Sequence, residues 1–131
     1  MPAEPTRVEE QRAFTQGEFN AFAELSGDHN PIHVDPDFAA GTAFGATVAH
    51  GMMLFSAVRG LIARHYPGSR MLSQALMFQA PTYADETVRL VLEPLDRPTA
   101  GQLRLATRIV KPDQRHGLIG ECLLQLAEDD A

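Results

Sequence analysis

The residues best suited to chemistry lie on one short loop, Ser-Gly-Asp-His-Asn-Pro-Ile-His at positions 26–33. A carboxylate at Asp28 and an imidazole at His33 can hold one water molecule between them. Asp accepts a proton, and His donates or accepts one near neutral pH. The amide of Asn30 can orient that water. The loop therefore predicts an Asp/His pair that activates water, with Asn30 in support.

The same loop has two other interpretations. Asp28 can cap a turn, Asn30 can form an Asx-turn and His33 can be a half-buried loop residue, which are common roles for these residue types. A metal site would draw its ligands from four nearby side chains: His29, His33, Asp35 and Asp37. Because Pro31 prevents the two histidines from sharing a helix face, the sequence predicts no metal.

A second candidate element is the Ala-His-Gly-Met segment at positions 49–52, where a glycine-rich stretch turns into an apolar run. Free N–H groups at a helix N-terminus stabilise negative charge. Gly51 leaves its N–H open to a substrate carbonyl, although Gly51 could also serve only to allow close packing. Beside the loop around Asp28, the segment predicts an oxyanion site at Gly51.

Helical patterns surround both candidate elements. Thr15 and Glu18 form a capping-box pattern that begins a helix, and Gly27 suits its end. Since Pro31 interrupts regular structure, we expect residues 28–33 to form a shaped loop. From about His50 to His65 the pattern is helical, and its first half is apolar on every side. Such a helix is predicted to be buried.

Five runs are rich in β-forming residues and are separated by turns. They are Arg7–Phe14, Met71–Gln79, Thr87–Leu92, Leu103–Val110 and Leu118–Leu126. Proline-containing turns at meander spacing favour an antiparallel sheet. The helix would be about 24 Å long, comparable to five strands about 4.8 Å apart. We therefore expect an α+β fold in which an antiparallel sheet wraps around a central buried helix.

Composition limits the class of protein. A chain of 131 residues is expected to form a single domain over positions 1–131. The net charge of −6 disfavours nucleic acid as a partner. With Cys122 as the only cysteine, no intrachain disulfide forms, and a cytoplasmic location fits. The N-terminus lacks a secretory pattern and no run could cross a membrane, so we expect no export and no membrane partner.

Three segments resemble the (R)-specific enoyl-CoA hydratases of the MaoC-like dehydratase family. They are residues 22–33, residues 48–53 (Val-Ala-His-Gly-Met-Met) and residues 78–86 (Phe-Gln-Ala-Pro-Thr-Tyr-Ala-Asp-Glu). The resemblance covers about residues 7–127. It implies a hot dog fold, a homodimer with continuous sheets that could assemble further, and an active site at the subunit interface. It also implies an acyl-CoA substrate, with no cofactor and no metal.

The implied reaction is the reversible syn addition of water to a trans-2-enoyl-CoA, which gives an (R)-3-hydroxyacyl-CoA. In this scheme Asp28 is the general base for attack at C3, and His33 assists proton transfer to C2. The N–H of Gly51 stabilises the enolate oxygen, while Asn30 supports the water or His33. Four residues are predicted to bind the substrate: His50, Met52, Phe55 and Arg59.

Arg59 departs from the family pattern, which favours a small residue near the acyl pocket. It could reach CoA phosphates, narrow the tunnel to short acyl chains, or recognise a carboxylate on the acyl group.

Two rival functions remain open. A hot dog thioesterase would use the same helix N–H but direct water at the carbonyl carbon. A non-catalytic acyl-CoA-binding protein, or a structural subunit of a heteromeric dehydratase, would be expected to lack part of the polar element. The presence of Asp28, Asn30 and His33 together favours hydration.

Overall fold

The computed structural model describes residues 6–128. The strands within this range are β1 (Val8–Ala13), β2 (Arg70–Met77), β3 (Thr87–Asp96), β4 (Gln102–Val110) and β5 (His116–Gln125). The helices are α1 (Gln16–Ser26), α2 (Pro31–Val34), α3 (Pro36–Ala40) and α4 (Gly51–His65). No helix in residues 6–128 is both long and apolar enough to cross a membrane.

The strands form an antiparallel sheet in the order β1-β3-β4-β5-β2. Along β4, alternate residues from Leu103 to Ile109 are buried, because one face of the strand points towards the core. Helix α4 crosses this face and contacts β3, β4 and β5. Its residues Val58, Leu61 and Ile62 are fully buried. The predicted α+β arrangement, an antiparallel sheet around a central helix, is confirmed.

Helix α1 forms as its local pattern predicts. The Thr15 hydroxyl accepts a hydrogen bond from the Glu18 N–H, and the Glu18 carboxylate accepts one from the Thr15 N–H. The helix ends at Gly27 in the left-handed conformation, with φ of 79°. A residue with a β-carbon would be strained there. This ending turns the chain into the polar loop.

The position of β2 differs from a simple meander. Strands β3, β4 and β5 pair in succession, but β2 lies at the far edge beside β5. The chain between β2 and β3 passes over the start of α4. The Ala49 N–H donates a hydrogen bond to the Thr82 carbonyl there, and Val48 forms an isolated antiparallel β-bridge with Tyr83. This packing carries the chain across the sheet instead of returning it in a hairpin.

Three smaller expectations were also wrong. Strand β3 continues past Leu92 to Asp96; its pairing with β1 ends at Leu92, so Pro94 removes no hydrogen bond on that side. The loop expected over residues 28–33 contains the start of α2, because Pro31 suits a first helical position. Helix α4 is not buried on every side, since Met52 is 53% exposed.

Candidate active site

Local hydrogen bonds shape the loop that carries Asp28. The Ser26 hydroxyl accepts from the Asp28 N–H, and Asp28 Oδ1 accepts from the Asn30 N–H. The Asn30 side chain accepts from the Ile32 N–H and caps α2. The turn-forming roles of Asp28 and Asn30 are therefore present, and they leave the second Asp28 oxygen free to face His33.

Asp28 and His33 lie close together without touching. His33 Nε2 is 3.8 Å from Asp28 Oδ2, which is too long for a direct hydrogen bond but suits a water bonded to both. His33 Nδ1 is 2.8 Å from the Val48 carbonyl. Because a carbonyl only accepts, Nδ1 carries a proton, and Nε2 is the ring nitrogen that faces Asp28.

His50 is the residue that immediately precedes α4, and it contacts both members of this pair. Its ring stacks on the His33 ring with centroids 3.9 Å apart, and it lies 4.9 Å from the Phe22 ring. Its Nε2–H donates to the Asp28 main-chain carbonyl at 3.0 Å. The side chain is buried, and Nδ1 has no hydrogen-bond partner among the described residues. Burial lowers the pKa of His50, and the nearby His33 shifts the pKa in the same direction.

The N-terminus of α4 offers a free donor beside the pair. His50 makes no side-chain cap, and none of the hydrogen bonds within residues 6–128 uses the Gly51 N–H. A β-carbon on Gly51 would lie 2.7 Å from the nearest atom of the Phe78 ring. Only glycine therefore fits without moving that ring. The N–H and the macrodipole can stabilise an oxyanion placed here.

A cavity of about 350 Å³ opens beside these groups. Its lining residues are Phe22, Ser26, Asp28, His50, Gly51, Met52 and Phe78. Two of the predicted substrate-binding residues, His50 and Met52, are in this wall. Phe55 and Arg59 are further along α4 and outside the wall. Arg59 forms no ion pair in the part of the chain that is described, and its role stays a prediction.

The chain matches the family described as MaoC like domain over residues 1–111. It belongs to the MaoC-like domain family. This MaoC-like chain is 38% identical over 121 residues to an (R)-specific enoyl-CoA hydratase from Aeromonas caviae, with 88% of each chain covered. It is 33% identical over 112 residues to a 3-hydroxybutyryl-CoA dehydratase from Methylorubrum extorquens, covering 83% of this chain and 71% of that protein.

Two solved structures share the fold of the MaoC-like chain. The R-hydratase PhaJ1 from Pseudomonas aeruginosa superposes with a TM-score of 0.88 at 30% identity, covering 94% of this chain and 81% of that one. The (R)-hydratase from A. caviae gives a TM-score of 0.88 at 34% identity, covering 93% and 95%. These similarities agree with the hot dog fold expected from the resemblance.

The metal ligands weighed from the sequence do not converge in this MaoC-like chain. Asp35 instead caps α3, while His29 is 3.8 Å from Glu24. Asp28, His33 and His50 do bring possible ligand atoms within 4.8 Å of one another. However, His50 Nε2 is already bonded to a carbonyl and Nδ1 is buried. The absence of a metal stays a prediction.

Sequence reasoning missed two features of the MaoC-like site. The first is the contact of His50 with both members of the pair, which lie 22 and 17 residues earlier in the chain. The second is a further cavity of about 260 Å³, which shares Gly51 and Phe78 with the first cavity. Phe78 lies in the 78–86 segment that carries the family resemblance, and this was the only signal in the sequence that pointed to it.

Proposed function

We propose that this MaoC-like chain is an (R)-specific enoyl-CoA hydratase. It adds water to a trans-2-enoyl-CoA with syn geometry and gives an (R)-3-hydroxyacyl-CoA in a reversible reaction. The observation that carries the proposal is the 3.8 Å gap between Asp28 Oδ2 and His33 Nε2, beside the free Gly51 N–H. The name of the A. caviae relative supports the same activity.

The proposed addition of water uses both members of the pair. A water between Asp28 Oδ2 and His33 Nε2 donates one hydrogen bond to each, and its oxygen is then directed at C3 of the substrate. Asp28 takes a proton as the C3–O bond forms. The pair returns a proton to C2, with His33 assisting the transfer. One water is consumed, and both side chains return to their starting states.

The Gly51 N–H acts on the thioester. Attack at C3 moves electrons from the double bond onto the thioester oxygen, and a donor already fixed at that oxygen stabilises the charge without reorganising. Asn30 is proposed to support the water or His33. We further propose that no cofactor or metal is needed, with CoA acting as the carrier of the acyl group.

We also propose a homodimer formed through the free edge of β2. This edge strand contains one charged residue, Arg70, whereas β1 at the other edge contains three in six residues. Leu72 and Met77 on β2 are 41% and 58% exposed, and the adjacent Phe78 is 45% exposed. Uncharged apolar edges pair readily with another strand. A second copy is the occupant that also makes the two sheets continuous.

Activity is tested with two substitutions at the pair. Asp28→Asn removes the base and His33→Ala removes the relay, so each should lower hydration of crotonyl-CoA by about 10²–10⁴-fold. Asp37→Asn is the matched control, because this exposed carboxylate lies outside the cavity and should leave the rate unchanged. Near-normal turnover by a folded Asp28→Asn variant would contradict the proposed base.

The rival functions give different products in the same assay. Loss of the enoyl absorbance without free thiol indicates hydration. Release of free thiol together with the unsaturated acid would identify a thioesterase. Binding of crotonyl-CoA without either change would identify a non-catalytic subunit. Chiral analysis of the product then checks the (R) configuration.

The dimer is tested by its size in solution. Leu72→Lys places a charge on the β2 edge and should shift the wild-type dimer to monomer in light scattering. Leu95→Lys is the matched control, because Leu95 is a similarly exposed leucine on β3. A Leu72→Lys protein that remains a dimer would contradict this interface.

A further inference from the structure

His50 is poorly explained as a residue selected for stability. It precedes the first residue of α4, where Ser, Thr, Asp or Asn would cap the helix, yet it makes no cap. Its side chain is only 2% exposed and leaves Nδ1 without a partner among residues 6–128. A buried unpaired nitrogen destabilises the folded state. Both features indicate that another requirement keeps a histidine at this position.

The remaining contacts of His50 point to the water-holding pair. Its Nε2–H holds the main-chain carbonyl of Asp28, and its ring lies against His33 with 24° between the ring planes. One side chain therefore contacts both members of the pair and ties them to the start of α4. The two groups that share the water, and the Gly51 N–H, are then fixed to one rigid element.

We propose that His50 is a positioning residue that sets the separation of Asp28 and His33, and that it does so at a cost in stability. This inference rests on the proposed function for its kinetic consequence. His50 does not exchange protons with the substrate, because Nε2 is already bonded and Nδ1 is sealed from solvent. The lowered pKa agrees with a ring that stays neutral beside His33.

The kinetic effect comes from small displacements. Asp28 lies on an exposed loop after the left-handed Gly27, and the bond from His50 is a tether between this loop and α4. Misplacing a reacting group by about 1 Å costs up to about 10²-fold in rate. Loss of the tether should therefore lower kcat more than it changes KM, because the other residues of the cavity wall stay in place and phenylalanine still presents a ring at position 50.

The experiment compares His50→Phe with His50→Gln. Phenylalanine keeps an aromatic ring against His33 but removes both the donor and the unpaired nitrogen. We expect kcat to fall about 10–100-fold, KM to change less than about threefold, and Tm to equal or exceed that of the wild type. Glutamine keeps an N–H donor and should recover at least part of the lost kcat. His65→Phe, at the exposed end of the same helix, is the control and should change neither kcat nor Tm.

Three results would overturn the proposal. One is an unchanged kcat in His50→Phe, and another is a fall in Tm that accompanies the fall in kcat, which would indicate a structural role. The third is independent of the reaction: a crystal structure of His50→Phe in which Asp28 Oδ2 and His33 Nε2 remain 3.8 Å apart. If the wild type does not hydrate enoyl-CoA, the proposed function fails, and the crystallographic distance still decides the role of His50.

Discussion

Substitution of Gly51 by alanine tests the site at its tightest contact. A β-carbon there would lie 2.7, 2.8 and 2.9 Å from three atoms of the Phe78 ring. Carbon atoms pack comfortably at about 3.5–4.0 Å, so the ring has to retreat by about 1 Å. The backbone itself accepts alanine, because the φ of Gly51 is not positive. The effect of Gly51→Ala is therefore confined to the ring and to what the ring contacts.

The stability and the activity should respond differently to this change. Overpacking costs about 1–3 kcal/mol, and the lower end applies because Phe78 is partly exposed and free to shift. Alanine in place of glycine stabilises a helix by up to about 1 kcal/mol. The free energy of unfolding should thus change by about 1 kcal/mol or less. A wall displaced by about 1 Å at the thioester should lower kcat/KM by about 10–100-fold.

The assay is hydration of crotonyl-CoA together with urea unfolding. Phe78→Leu provides space for the new methyl group, so the double variant Gly51→Ala/Phe78→Leu should be more active than the two single effects predict when multiplied. Gly17→Ala is the control, because its β-carbon would meet only Thr15 Oγ1 at 3.7 Å. Wild-type kcat/KM in Gly51→Ala, or no recovery in the double variant, would refute the steric reasoning.

Three further predictions concern stability and reactivity. Burial raises the pKa of the Cys122 thiol to about 11, so a thiol reagent should label the protein only after unfolding; rapid labelling of the native state would contradict this. Gly120→Ala should destabilise the protein by about 3 kcal/mol and loosen β2, because the new β-carbon would overlap the Ala75 carbonyl oxygen; an unchanged urea midpoint would argue against this packing. Because burial lowers the pKa of His50, this side chain takes up a proton in the unfolded chain at a higher pH than in the folded protein. The free energy of unfolding should therefore decrease as the pH falls below 6.5. His50→Phe should remove the part of this decrease that comes from His50.

Features set by neighbouring residues could be predicted from the sequence. The capping box at Thr15 and Glu18 lies within one helical turn, and it forms as expected. Asp28 and His33 are five positions apart, and the structure does bring them together. The resemblance supplied the hot dog fold and the proposed activity, which composition and periodicity could not give.

Features set by distant contacts could not be predicted. The place of β2 at the sheet edge depends on how residues 78–86 cross the start of α4. Met52 was expected to be buried because its neighbours are apolar, but its exposure is decided by which side of α4 faces the sheet. The hydrogen bond and the ring stacking of His50 with the preceding loop leave no signature in the neighbouring sequence, because each of these groups could equally have faced solvent.

Met77 ends the edge strand and Phe78, the very next residue, touches the start of α4. The edge strand where a second copy would dock is therefore only one peptide bond away from Phe78, whose ring forms part of the wall of the proposed thioester site. In the proposed dimer Phe78 would lie next to the interface, and separation of the two copies would give its ring more room to turn. Specific activity should accordingly fall on dilution through the range where the assembly dissociates, so that enzyme concentration itself sets the turnover per chain.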